Sequence, residues 1–177
     1  VERAADGEVI AVVVPASAVP SVLEQVASCA KPGAVVLNFA TAVDIPRALR
    51  EKRPDLVWSE AKLVGSAVGM AHGLPCMIVL GEHDPALLRR VQNSLPGLAD
   101  QITLGDAALV PTVNRAATEA ALRAVIALER ELSDMGVPRP LIDAALGGTV
   151  PGVSLSYQRG TLGGFARKIV QQIEEES

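Results

Sequence analysis

The sequence predicts an α/β fold: a parallel sheet with covering helices, followed by an all-α C-terminal domain with one long helix. Residues 9–14 and 35–37 are continuous runs of Val, Ile, Ala and Leu without alternation. That is the pattern of strands buried on both faces. Between them lie a helical stretch and a Lys31-Pro32-Gly33 turn, which together make one strand–helix–strand unit. Beyond Asp106 the strand pattern stops and helical periodicity takes over, which predicts two domains, residues 1–105 and 106–177.

Strand one is expected over Glu8–Val14, with Pro15-Ala16-Ser17 at its carboxyl end. The following helix starts near Val19 or Pro20, since proline suits a first turn, and places Val22, Leu23, Val26 and Ala30 on one face. Strand two, Ala34–Asn38, ends in Asn38-Phe39-Ala40-Thr41. Asp44-Ile45-Pro46 reads as a helix start with Asp44 as N-cap, and Arg53-Pro54-Asp55 breaks that helix after Lys52. Strand three is Leu56–Ser59. In Glu60–Gly73 the glycines at 65, 69 and 73 suit either one helical face or a loop. Pro75–Leu80 forms strand four. Asp84 caps a helix that opens at Pro85 and runs to Leu95, with Leu87, Leu88, Val91 and Leu95 inward. Gln101–Leu104 is strand five.

The long helix is expected over Pro111–Met135, with Val113, Ala117, Ala121, Ala124, Val125, Leu128 and Leu132 as its apolar stripe. Gly136 ends it. Val137–Leu146 reads as a second helix, residues 147–152 as a loop, and Leu162–Glu175 as a final helix.

Composition excludes several classes of function. The chain has 177 residues, enough for a real core. Only 2% are aromatic, so the stacking platforms of a single-strand nucleic-acid binder are missing. A net charge of −4 offers no field for a phosphate backbone. Cys29 and Cys76 have neither metal-type spacing nor partners for a disulfide framework, which fits a reduced, cytoplasmic chain. His72 and His83 lack a third ligand, so no metal site is expected. No apolar run approaches the roughly 18 to 20 residues of a membrane span, and no signal peptide is visible. The chain opens at Val1 on an apolar first strand that needs neighbours on both sides, so further sequence is expected upstream.

Four stretches resemble the 6-phosphogluconate-dehydrogenase-like superfamily of NAD(P)-dependent oxidoreductases. They are DGEVIAVVVPASAVPSVLEQV, KPGAVVLNFATAVDIPRAL, AKLVGSAVGMAHGLPCMIVLGEHDPALLRRVQ and ERELSDMGVPRPLIDAAL. Within that superfamily they are most similar to deazaflavin-dependent NADP reductases, pyrroline-5-carboxylate reductases and prephenate dehydrogenases. The resemblance implies that residues 1–105 are the latter part of a Rossmann-like dinucleotide-binding domain. Residues 106–177 would then be a helical substrate and dimerisation domain. It implies NADP or NAD as cofactor, a small-molecule substrate (imine, keto or hydroxy acid, or deazaflavin), and a homodimer through the C-terminal helices.

The departures are specific. The G-x-G-x-x-G fingerprint is absent. Val110 stands where the hydroxyacid branch has a catalytic lysine four residues before Asn114. The His-Pro pair of prephenate dehydrogenases is missing. Thr112-Val113-Asn114-Arg115-Ala116 replaces the substrate-positioning Ser-Gly-Ser-Gly-Pro of pyrroline-5-carboxylate reductases.

Strand-end position makes Pro15, Ala16, Ser17, Asn38, Phe39, Ala40 and Thr41 the candidate cofactor-binding residues. Asn38 and Thr41 equally suit turn capping. The resemblance places Lys62 and Ser66 near the nicotinamide. A lysine in a desolvated cleft serves as acid or anion clamp, and one in water is simply solvated. Asn114 and Thr118 share a helical face and complete the candidate catalytic set; a polar helix–helix contact is the other reading. A non-catalytic dinucleotide sensor and a helical interaction protein with a degenerate nucleotide domain stay open as alternatives.

Overall fold

In the computed structural model, which describes residues 6–82 and 84–176, five strands pair in chain order into one sheet. They are β1 (Val9–Val12), β2 (Val35–Asn38), β3 (Val57–Val64), β4 (Met77–Leu80) and β5 (Ile102–Leu104). The pairs β1–β2, β2–β3 and β4–β5 are parallel, whereas β3–β4 is antiparallel. The expected parallel sheet therefore reverses once. A parallel return needs a crossover, usually a helix. Between β3 and β4 the only helix is α3 (Ala67–Ala71), little more than one turn, so the chain doubles back beside the strand it has just left.

β2 is buried at all four positions, as its unbroken apolar run requires, whereas β1, expected to be buried on both faces as well, is the edge strand of this sheet and leaves Ala11 and Val13 exposed. One face of the sheet packs Ile10, Val12, Val36 and Trp58 against α1 (Val19–Cys29) and α2 (Arg47–Lys52). The other packs Val35, Leu37, Ala61, Ile78 and Ile102 against Leu87 and Val91 of α4 (Pro85–Ser94). Asp84 caps α4 as expected, its carboxylate accepting from the Ala86 amide at 2.8 Å. The carbonyls at the end of α1 are capped from a distance. The Arg53 guanidinium donates to the Ala27 and Ala30 oxygens while gripping the Asp55 carboxylate at 2.7 and 2.8 Å.

Three local expectations need correction. Asp44 is not the cap of α2. Pro46 occupies that position in an extended conformation (ψ 134°), so the helix opens two residues later, at Arg47, without a side-chain cap. β3 does not stop at Ser59 but continues to Val64, taking in the first five residues of the segment read as mixed. Residues 147–152 are helical rather than a loop. α6 (Arg139–Ala144) passes through a π-helical turn at Ala145–Thr149 into α7 (Val150–Gln158), and Pro151, which has no amide to donate into the preceding turn, follows directly after that wide turn.

The chain divides into two compact units, one reaching to Ala117 and one from Thr118 onward. The divide falls inside the long helix α5 (Val110–Asp134), whereas the sequence pattern changes at its start. In the second unit α5 ends at Gly136 (φ 75°), with the Gly136 amide on Ser133 and the Val137 amide on Leu132, the double bond of a glycine C-cap. Arg139 joins Glu129 of α5 to Asp143 of α6. The Glu129 hydrogen bond, with help from Asp143, raises the Arg139 pKa. α8 (Gly164–Glu175) closes the chain. Among the described residues of this unit, Ile142 alone is buried.

Candidate functional site: a seam at the middle of β3

The eight residues of β3 serve two partners in succession. Val57–Glu60 pair with β2, and Ala61–Val64 pair with β4. β2 therefore leaves on one side of Glu60 just where β4 leaves on the other, and the Gly81 amide donates to the Glu60 carbonyl at 2.9 Å. A cavity of about 490 Å³ lies at this seam, lined among others by Thr41, Asp44, Glu60, Lys62, Gly81 and Asp106.

Alternation along β3 puts Glu60 and Lys62 on one face, and both are withdrawn from water. Lys62 is 2% exposed. A buried ammonium is tolerated only when paired and hydrogen-bonded. Its Nζ donates to the Ala40 and Val43 carbonyls and ion-pairs with Glu60 at 2.8 Å and Asp44 at 3.3 Å. The Glu60 carboxylate accepts from the Ile45 amide at 2.6 Å and from Asn38 Nδ2 at 2.9 Å. Arg50, which also donates to the Trp58 carbonyl, approaches Glu60 at 3.8 Å. Every group that this pair holds on the β2–α2 connection lies between Asn38 and Ile45.

The predicted site residues fall into three groups. Pro15, Ala16 and Ser17 are exposed just beyond β1, with Ala16–Ala18 in one 3₁₀ turn. Phe39 binds the end of β1 through its amide on the Val12 carbonyl at 3.1 Å, so the two strand ends lie side by side, and Thr41 is exposed above them. Asn38 is fully buried and committed within the chain. Its Nδ2 serves Val43 and Glu60, and its Oδ1 accepts from the amide of Ala40, which is itself buried.

Ser66 caps α3 by accepting from the Gly69 amide at 2.9 Å. Asn114, in the second turn of α5, clamps the end of β3. Its Nδ2 donates to Leu63 O at 2.7 Å and its Oδ1 accepts from the Gly65 amide at 3.2 Å. Thr118 lies one turn further along α5, exposed, in the second unit. Lys62 and Thr41 meet at the cavity; Ser66 and Asn114 gather instead at the far end of β3.

Sequence reasoning missed Glu60. The available signal was the Glu60-x-Lys62 spacing, which becomes informative once the segment is read as a strand. His72 ends α3, and His83 lies outside the described residues. Among the described residues no helix is long and apolar enough to cross a membrane.

The exposed strand ends carry small side chains at Ala16, Ser17, Thr41 and Ala42, with two hydroxyls among them. Small residues permit a flat ligand to approach the backbone, which suits the nicotinamide and ribose end of a dinucleotide. A pyrophosphate would need the glycine-rich turn that this sequence lacks.

No family model and no curated protein matches the chain. Solved structures do. A Mycobacterium avium 104 protein assigned as an oxidoreductase superposes with a TM-score of 0.62 at 18% identity, over 89% of this chain and 58% of its own. The 3-hydroxyisobutyrate dehydrogenase of Salmonella typhimurium gives 0.54 at 20% identity, over 98% and 60%. A semialdehyde dehydrogenase NAD-binding protein of Cupriavidus necator, solved with calcium and NAD, gives 0.52 at 15%, over 96% and 69%. The chain spans about three fifths of the length of the first two, from their 58% and 60% coverage. Its α/β sheet and trailing helices have the fold of these oxidoreductase structures.

Proposed function

We propose that the chain forms the nicotinamide-side part of an NAD(P)-dependent oxidoreductase. It would bind NADP or NAD across the carboxyl ends of β1 and β2 and exchange a hydride with a small organic substrate in the seam cavity. The observation that carries this reading is the pairing of two parallel strand ends, open to solvent, beside a cavity of about 490 Å³. In open α/β sheets ligands bind beyond such ends, and the oxidoreductase structures of like fold support the same reading.

When bound, the cofactor supplies the hydride chemistry. Pro15 and Ala16 offer backbone groups to it, while Ser17 and Thr41 offer hydroxyls. Asn38, Phe39 and Ala40 hold the strand end in place from below. Lys62 lines the cavity with its protons already engaged, so it fixes the wall and its charge rather than donating a proton. Ser66 and Asn114 complete the proposed set by shaping the end of β3.

The partner we propose is a second copy. Among its described residues the helical unit buries Ile142 alone and exposes Leu122, Ile126, Tyr157 and Phe165. Exposed apolar surface of this kind marks an interaction face. A reduced, cytoplasmic location accords with the two free cysteines.

The test is titration of the purified protein with NADPH and with NADH, followed by their oxidation in the presence of imines, keto acids and deazaflavins. Saturable binding of one dinucleotide with turnover on one substrate class is expected. No binding of either would overturn the reading. A sensor is the second reading, favoured by Val110 in the lysine position and by the full engagement of Lys62. Tight binding without turnover would select it.

A further inference from the structure

The β2–α2 connection, residues 39–46, contains no helix or strand, yet it forms the rim of both the strand-end surface and the cavity. A segment of this kind is normally among the least stable parts of a fold. Here its conformation is dictated from the neighbouring strand. Glu60 takes the Ile45 amide and the Asn38 side chain; Lys62 takes the Ala40 and Val43 carbonyls; the two side chains neutralise each other at 2.8 Å. Asn38 doubles the tether by donating to Val43 at 2.7 Å and accepting from the Ala40 amide.

Buried ion pairs are a poor source of stability, since desolvation offsets the attraction, and an apolar or neutral pair of like shape often serves stability as well. What this pair provides is a shape. The geometry points to Glu60 and Lys62 as positioning residues. Together they hold Thr41 and Ala42 at the height at which the proposed dinucleotide meets the cavity. This inference rests on the proposed cofactor reading and adds to it the device that shapes the site.

Two readouts test it, one of which needs no ligand. In hydrogen exchange, the Ile45 and Ala40 amides are expected to be protected in the parent protein. Both should exchange faster in the double variant Glu60→Gln/Lys62→Met, which removes both charges together. In binding, the same variant should hold NADPH or NADH about tenfold more weakly, the equivalent of about 1.4 kcal/mol. Its Tm should fall less than in either single variant, because no unpaired charge is left buried and the main loss is the partner of the Ala40 carbonyl. The single variants Glu60→Gln and Lys62→Met should lose both Tm and affinity.

A purely structural role makes a different prediction: affinity tracks Tm through all three variants and recovers with it in the double variant. That outcome, or unchanged Ile45 and Ala40 exchange in the double variant, overturns the inference. If the parent protein binds neither dinucleotide, the cofactor reading falls, and exchange alone decides whether the pair orders the segment.

Discussion

Asn114 distinguishes a clamp from a catalytic group. Its amide spans the end of β3, donating to Leu63 O at 2.7 Å and accepting from the Gly65 amide at 3.2 Å. Asn114→Ala deletes both bonds. A net hydrogen bond contributes about 0.5–1.5 kcal/mol. The Asn114 side chain is only half-buried, so water replaces part of what is lost. The expected cost is therefore about 1–2 kcal/mol, or about 2–8 °C in Tm for a chain of this size.

The assay is urea unfolding followed through Trp58. It is the only tryptophan in the sequence, 5% exposed in the core of the same unit. Asn114→Asp sharpens the result. Its carboxylate keeps an acceptor for Gly65 but turns a second acceptor toward the Leu63 carbonyl. It should therefore lose at least as much as alanine at pH 7. It should regain part of the loss as pH falls and the carboxyl protonates, the recovery being complete below the unfolded value of about 4. An alanine variant within about 0.5 kcal/mol of the parent, the ordinary range of surface changes, would refute the clamp. Lost turnover in that same variant would make Asn114 a reacting group.

Three further outcomes follow from single features. Gly65 sits at φ 135°, and a Cβ added there would lie 3.1 Å from Cys76 Cβ. Gly65→Ala should therefore destabilise the chain by about 1–3 kcal/mol in the same unfolding assay. Hydrogen bonds from Arg53 hold the Asp55 carboxyl below its ordinary value. The stability this adds is complete above the unfolded carboxylate range of about 4 and is lost as pH falls through the folded value. Asp55→Asn should thus lower Tm at neutral pH, by an amount that closes toward zero in thermal scans below about pH 4. Phe165 is 82% exposed and Ile169 40% on α8. If a second copy covers them, the parent protein sediments as a dimer and Phe165→Glu/Ile169→Glu as a monomer; a monomeric parent would refute the proposed partner.

β2 was legible because nothing else in a chain of this composition writes Val-Val-Leu; β1 writes the same kind of apolar run but stands at the sheet edge with Ala11 and Val13 exposed. The Asp84-Pro85 start of α4 was legible too, since a side chain and its own helix satisfy each other locally. What escaped depends on partners distant in sequence. The second half of β3 was hidden by the polar residues that make it interesting, since Glu60 and Lys62 break the apolar run that announces a strand. Asp44 has the chemistry of a cap, and only the extended Pro46 removes it from the helix. Gly147-Gly148 reads as a loop by propensity, while the structure runs a wide helical turn through it. At the candidate site, Lys62 was noticed for its charge, but no local pattern could reveal that it is buried against backbone carbonyls more than 15 residues away in sequence, Val43 among them.

The arrangement of β3 also bears on how the sheet comes apart. Its paired residues toward β2 end at Glu60 and those toward β4 begin at Ala61, so the two ladders meet at Glu60, whose carbonyl also accepts from the Gly81 amide. In an ordinary central strand, unzipping one neighbour strips bonds from residues that the other neighbour still holds. Here the backbone ladders contribute little to joining β1 and β2 to β4 and β5, and the two halves of the sheet are held together by the shared side-chain layer of Val35, Leu37, Ala61 and Ile78. Cooperativity across the sheet therefore runs through side-chain packing and through β3 itself, with Glu60 and Lys62 standing where the two ladders meet.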